Sequence, residues 1–233
     1  MKKKYYRFLE KLCNSSIYAY KNQICEGFIT VKGGHRVGIT GTAVIENERI
    51  INLKYITSLN FRIAREVLNC SNKILGQIID KESNSIYTTL IVSPPGMGKT
   101  TMLRDTIRRI SNGIPEINFK GKTCGVVDER GEIAAMYQGI PQNDVGIRTD
   151  VVENISKAKG MKMLIRSMAP EVIACDEIGS KEDVEAILGE AISAGVKGIF
   201  TMHGKTLEDI KNNMQINKLI ETKQIEKIIF LER

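Results

Sequence analysis

The stretch "VSPPGMGKTTML", Val92 to Leu103, holds the residues best suited to chemistry. Ser93, Pro94, Pro95, Gly96, Met97, Gly98, Lys99, Thr100 and Thr101 have the composition and spacing of a phosphate-binding loop. Such a loop follows a strand and opens a helix, and its backbone N–H groups and helix N-terminus hold phosphate oxygens. Gly96 and Gly98 would free the backbone to curl, and the two prolines would stiffen the approach. Lys99 would reach the β- and γ-phosphates of ATP, and the Thr100 hydroxyl would bind Mg²⁺. Ser93 stands at the loop entrance, where the usual pattern has glycine; a small side chain fits there if its backbone angles are ordinary.

Three further segments could complete such a site. In "EVIACDEIG", Asp176 and Glu177 follow an apolar run. Asp176 would hold Mg²⁺, and Glu177 would orient or deprotonate the attacking water. In "GIFTMHG", Thr201 and His203 end another apolar run and could sense the γ-phosphate. In "GVVDERGEIA", Asp128, Glu129 and Glu132 cluster with Arg130. Glu129 or Glu132 could supply the water-activating group in place of Glu177, and the residues alone leave that choice open. Arginines that could act on a neighbouring subunit's phosphate are Arg62, Arg65, Arg130, Arg148 and Arg166. Arg148 is favoured by its polar, glycine-containing loop.

The elements that must position these residues alternate. Apolar runs at Tyr87–Val92, Thr123–Asp128, Glu171–Asp176, Lys197–Met202 and Glu226–Leu231 predict strands. Leu103, Ile107 and Ile110 repeat at helical spacing before Gly113, and Ser180 with Asp183 forms a capping box ahead of a helix that Gly195 ends. Strands alternating with helices mean an α/β fold with a mostly parallel sheet. The chain start reads differently. Residues 5–20 predict a short helix with Phe8, Leu12 and Tyr20 on one side. Gly27–Ile51 predicts short strands with turns at Gly33-Gly34 and Glu46-Asn47, continued by Tyr55–Val67 as another strand or a strand-to-helix step. The expected division is a small α+β domain over 1–80 and the nucleotide domain over 81–233.

Charge is unevenly placed. Residues 1–80 hold 13 Lys and Arg against 6 Asp and Glu, and the rest hold 21 of each, so the net +7 belongs to the first part. A basic surface of that kind could meet nucleic acid, a membrane face or an acidic partner. Tyr5, Tyr6 and Phe8 are expected to pack along the helix rather than stack on bases, so nucleic acid is not the expected partner. The basic start lacks the apolar run of a signal peptide, and no stretch is apolar enough for a membrane span, which points to the cytosol. The five cysteines have no metal-ligand spacing and are expected to be reduced.

"VDERGEIA", "PQNDVGIRTDV", "KAKGMKMLIRSMAPEVIACDEIG", "ISAGVKGIFTMHG" and "GGHRVGITG" together resemble the stage III sporulation protein AA family over about residues 27–231. That family is related to the motor ATPases of type II secretion and type IV pili. The resemblance implies a RecA-like core with a small N-terminal domain. It places Asp128–Glu132 as the Asp box and His203 in the His box. It further implies a homo-hexameric ring on the mother-cell side of the membrane facing the forespore, with an integral membrane protein of the sporulation channel as partner. Ser93 departs from the family's glycine, and the part before Gly27 is shorter than the family pattern. Two other readings remain open at this point: a nucleic-acid-dependent RecA-like ATPase, and an ATP-controlled scaffold with slow turnover.

Overall fold

The structure, a computed structural model, describes residues 2–14 and 16–232. The chain forms two compact units. The smaller runs up to Arg65 and takes back Ala135–Asn143; the larger is Glu66–Ala134 with Asp144–Arg233. The division thus falls at Arg65/Glu66 instead of near residue 80. Residues 66–80 are fastened to the larger unit by long-range bonds. The Asp105 carboxylate accepts the Asn69 N–H at 2.9 Å, the Ser71 N–H at 2.8 Å and the Ser71 hydroxyl at 2.6 Å.

The small unit begins with helix α1 (Lys2–Leu12), a 3₁₀ turn at Ile17–Tyr20 and helix α2 (Lys21–Cys25). A single helix over 5–20 does not form, because the chain turns left-handed at Asn14, φ 50°. Leu9, Cys13, Tyr20 and Ile24 face inward onto Ile29, Val37, Ile39 and Ile56. Tyr5, Tyr6 and Phe8 are exposed instead of packed, and Phe8 meets the edge of Phe61, 5.9 Å between ring centres. Strands β1 (Phe28–Val31), β2 (His35–Glu46) and β3 (Arg49–Arg62) follow as an antiparallel sheet in that order. The β2–β3 turn has positive φ at both Asn47 and Glu48, which suits the right-handed twist of a hairpin. The returning segment is held by Tyr137 Oη, which accepts from Asn14 Nδ2 at 2.8 Å, and by Gln142 Oε1, which accepts the Gly33 N–H at 2.7 Å.

The larger unit starts with α3 (Asn72–Ile78) and a two-strand ladder of β4 (Ile79–Asp80) and β5 (Ser85–Ile86). Then come β6 (Thr89–Ser93), α4 (Lys99–Asn112), β7 (Cys124–Asp128), β8 (Thr149–Glu153) and α5 (Lys157–Met168). Next are β9 (Val172–Cys175), α6 (Lys181–Ala186) with a π-helical continuation at Ile187–Ile192, and β10 (Lys197–His203). The last elements are α7 (Leu207–Lys211), α8 (Met214–Glu221) and β11 (Lys227–Phe230). Six strands form one parallel sheet in the order β11-β6-β10-β9-β7-β8. β6, β7 and β9 are buried along their whole length, as parallel strands covered on both faces must be. On one face Leu90, Val92, Ile173, Cys175 and Phe200 meet Met161, Leu164 and Val184. α4 brings Leu103, Ile107 and Ile110, all fully buried. Each such side chain contributes about 1.5–3 kcal/mol on burial.

The expected strands all appear, and β10 lies between β6 and β9. The chain skips two strand positions between β6 and β7, so the carboxyl ends of β6, β10 and β9 open onto a crevice. Open α/β sheets bind ligands at that kind of crossover.

Candidate nucleotide site

β6 ends at Ser93, which is register-paired with His203 at the end of β10. Ser93 keeps strand geometry and is 1% exposed, and its hydroxyl donates to the Pro94 carbonyl at 3.1 Å. A serine therefore takes the place of glycine at no backbone cost. Gly96 and Gly98 do need to be glycine: φ is 76° and 81°, a region other residues enter at a penalty. A Cβ on either would meet nothing within 4 Å, so the loop curls around open space. Gly98 then caps α4 with no side chain bonded to the helix start, and the first-turn N–H groups face that space. An open glycine cradle, a helix N-terminus and a lysine beside it fit a phosphate chain.

Lys99 is 5% exposed. Its ammonium donates to the Ser93 carbonyl at 3.1 Å, the Pro94 carbonyl at 3.3 Å and His203 Nδ1 at 2.7 Å. Burial lowers its pKa, while Asp176 and Glu177 hold it up. An ammonium can only donate, so His203 Nδ1 accepts and the imidazole proton sits on Nε2. Nε2 then donates to Glu177 Oε1 at 2.8 Å. The other Glu177 oxygen accepts from Arg130 Nη1 at 3.1 Å.

Asp176 follows β9. Thr100 Oγ1 donates to its Oδ2 at 2.5 Å, and the Thr201 hydroxyl donates to its Oδ1. Thr201 Oγ1 in turn accepts the Glu177 N–H at 2.8 Å. Thr201 is fully buried on β10, so this one hydroxyl fixes both acidic residues from the strand between them and the loop. Glu177 itself has φ 50°, an uncommon conformation for its type that clusters at functional positions. The hydroxyl–carboxylate pair of Thr100 and Asp176 is a set of hard oxygen atoms that would suit Mg²⁺.

Asp128, Glu129, Arg130 and Glu132 line one cleft together with Lys157, Asp176 and Glu177. They are not equivalent. Asp128 is 2% exposed and accepts the N–H groups of Glu132, Ile133 and Ala134 at 2.8, 3.0 and 2.9 Å. It organises the loop. Glu129 pairs with Lys157, whose pKa burial pulls down but Glu129 raises overall. Glu153, the register partner of Asp128, is pushed up to about 7 by burial and by the Asp128 carboxylate.

Arg148 is set apart from the cleft. It sits at the amino edge of the sheet, where its carbonyl accepts the Cys124 N–H at 2.8 Å and its Nη1 donates to the Ser111 carbonyl at 3.0 Å. The loop before β8 enters the sheet at that edge, so Arg148 is not grouped with Glu177 in its own chain. Arg166 reaches Glu190 at 3.3 Å, and Arg62 and Arg65 belong to the small unit. Lys157, Glu153 and Arg104, all part of the site's surroundings, went unread in the sequence. Their partners lie at least 25 residues away, and no local pattern marks them.

The parallel sheet and its loop define a P-loop α/β fold, one shared with a solved ATPase and a solved pilus retraction motor. The ATPase DotB of Legionella pneumophila superposes with a TM-score of 0.53 at 15% identity, over 82% of this chain and 51% of that one. The pilus retraction motor PilT with bound ADP gives 0.54 at 17%, over 82% and 50%. At that identity the likeness is one of fold, and the chain spans about half the length of each of these structures. The chain belongs to the family "Sporulation stage III, protein AA", whose profile matches residues 1–233. The Stage III sporulation protein AA of Bacillus subtilis (strain 168) is 41% identical over 225 residues, 97% of this chain and 71% of that protein. The "Uncharacterized protein ycf45" of Cyanidium caldarium is 30% identical over 168 residues, 71% of this chain and 46% of that protein.

Proposed function

We propose that this protein is a Mg²⁺-dependent ATPase acting as a homo-oligomeric ring, and that it powers or assembles a secretion-like channel between mother cell and forespore. The observation that carries the enzymatic part is convergence. Lys99, Thr100, Asp176, Glu177, Thr201 and His203 come from three adjacent strand ends and meet through direct hydrogen bonds. The sporulation role comes from the family and the ring from the resemblance to pilus motors.

When bound, ATP would supply the phosphoanhydride to be cleaved, and Mg²⁺ would neutralise charge on its β- and γ-oxygens. Residues 96–101 would hold the phosphates with backbone N–H groups. Lys99 would exchange the Ser93 and Pro94 carbonyls for phosphate oxygens, and Thr100 with Asp176 would hold the metal. Glu177 would take the proton of the attacking water, with His203 Nε2 and Arg130 holding its carboxylate in place. Arg130 is the arginine that lines the cleft, and it is bonded to Glu177. A neighbouring subunit is therefore the expected source of a further arginine for the γ-phosphate. Among the described residues no helix is long and apolar enough to cross a membrane, so an integral membrane partner would provide the attachment.

Titration with a fluorescent ATP analogue, alongside phosphate release across a protein dilution series, tests this. Wild type should bind in a Mg²⁺-dependent way, and turnover per chain should fall as the protein is diluted. Lys99→Ala should lose at least tenfold in affinity. Equal affinity in the two proteins, or constant turnover down to monomer concentrations, would overturn the site or the ring respectively.

A further inference from the structure

We propose that Arg104 is a positioning residue that locks the carboxylate loop 128–134 to the helix of the phosphate loop, and so sets where Glu129 and Glu132 stand relative to Thr100. The proposal rests on the ATPase reading above.

Arg104 lies four residues after Thr100 on α4, on the same helix face. It is 8% exposed. A guanidinium so buried is costly unless its N–H groups are used. Arg104 spends them on backbone carbonyls of the carboxylate loop. Nε donates to the Ile133 carbonyl and Nη2 to the Glu132 carbonyl, both at 2.6 Å. From the other side the Asp128 carboxylate takes the N–H groups of residues 132, 133 and 134. The same short run is thus gripped twice, its carbonyls by a cation and its amides by an anion. Two charged groups acting on opposite polar atoms orient peptide planes in a way that apolar packing cannot.

The loop needs such a grip. It turns left-handed at Gly131, φ 63°, and again at Ala135, φ 50°, where a non-glycine residue holds a strained conformation. Beyond Ala134 the chain leaves for the small unit, so Arg104 and Asp128 supply the last fixed points before that crossing. The face of α4 that carries Thr100 to Asp176 also carries Arg104 to this loop. The two carboxylate sources of the cleft, at 176–177 and at 129–132, are therefore referenced to one helix. Burial lowers the Arg104 pKa, and Glu66, Asp128, Cys70 and Asp176 offset part of that.

The test uses the full chain with Arg104→Met, Arg104→Lys, Glu132→Gln and the double variant Arg104→Met/Glu132→Gln. Melting temperature, affinity for the ATP analogue, kcat, and hydrogen exchange of the amides in 129–134 are measured for each. Arg104→Met should leave affinity within about threefold while kcat drops on the order of 10²-fold, the scale of a small misplacement of reacting groups. Exchange at 133 and 134 should rise. Arg104→Lys, which restores one donor, should recover part of both. The double variant should be no slower than the slower single one, because both changes disable the same unit. Should Arg104→Met fail to fold, Arg104→Lys carries the same comparison. Wild-type kcat, unchanged exchange, or a loss of affinity that matches the loss of kcat would each overturn the proposal. Absence of turnover in wild type would instead remove the ATPase reading, and with it the positioning role, whatever the exchange shows.

Discussion

Replacing Glu153 by Gln should change how stability depends on pH. Glu153 and Asp128 are register partners on adjacent parallel strands, so their side chains share one face of the sheet. Burial and the Asp128 carboxylate raise Glu153 from 4.5 to about 7. In the unfolded chain the carboxyl ionises near its ordinary value. Between the two values the folded state therefore binds more protons than the unfolded one, and stability falls as pH rises. The contribution is full below about 4.5 and is lost as pH passes through about 7. If the whole gap were expressed it would amount to about 3 kcal/mol at pH 8. Glu153 is only half-buried, so solvent screening should reduce this to about 1–2 kcal/mol. Gln has the same shape and no such term. Urea denaturation of both proteins at pH 5, 6, 7 and 8 reads it directly, since other titrating groups cancel in the difference. The stability of Glu153→Gln minus that of wild type should grow from pH 5 to 7 and then level off. A constant difference, or one that shrinks with pH, would show that the two carboxyls do not oppose each other.

Three further outcomes are expected. Glu177→Gln should keep nucleotide affinity and lose ~10²–10⁴-fold in turnover; if it hydrolyses normally and Glu129→Gln or Glu132→Gln does not, the base lies in the carboxylate loop. Thr201→Val keeps the shape of a fully buried side chain but removes the donor to Asp176 Oδ1 and one of the two acceptors of the Glu177 N–H, and should cost about 1–3 kcal/mol in chemical denaturation along with weaker Mg²⁺-dependent binding. Unchanged denaturation would mean that the Thr201 hydroxyl holds neither acid. Gly160→Ala would bring a Cβ to 2.4 Å from Val127 Cγ1, so α5 must shift off β7; a loss of about 1–3 kcal/mol is expected, and wild-type stability would show that the helix yields freely.

What could be read from the residues alone has a common cause: its physics is local. The left-handed angles of the phosphate loop need glycine at 96 and 98, and the Ser180–Asp183 capping box forms within one turn. Both were visible in the sequence. β8 was not. Thr149–Glu153 lies at the sheet edge, is half-exposed along most of its length, and so carries no apolar run. The first helix misled at Phe8, which shares its spacing with Leu12 yet stays exposed. Leu12 is partly buried against the core that Leu9, Cys13 and Tyr20 form with Ile29 and Ile56, and only that packing decides which side chains turn inward. The charged stretch of α4 carries no local signal either. Arg104 and Asp105 are both buried because Ile133, Glu132, Ser71 and Asn69 supply their partners from distant segments.

The site divides along the same line. Which residues could touch phosphate or metal follows from their types, but which of them touch one another follows from strand order. His203 reaches Lys99 across 104 residues of chain, and Thr201 reaches Asp176 across 25, because β10 is inserted between β6 and β9. That insertion turns a lysine, a histidine and a carboxylate from separate segments into one connected line from Lys99 through His203 to Glu177. A lysine drawn toward a phosphate would release His203 Nδ1, and with it the constraint on the proton that Nε2 gives to Glu177. In the proposed mechanism the sheet order would thereby link occupancy of the loop to the carboxylate expected to act on water.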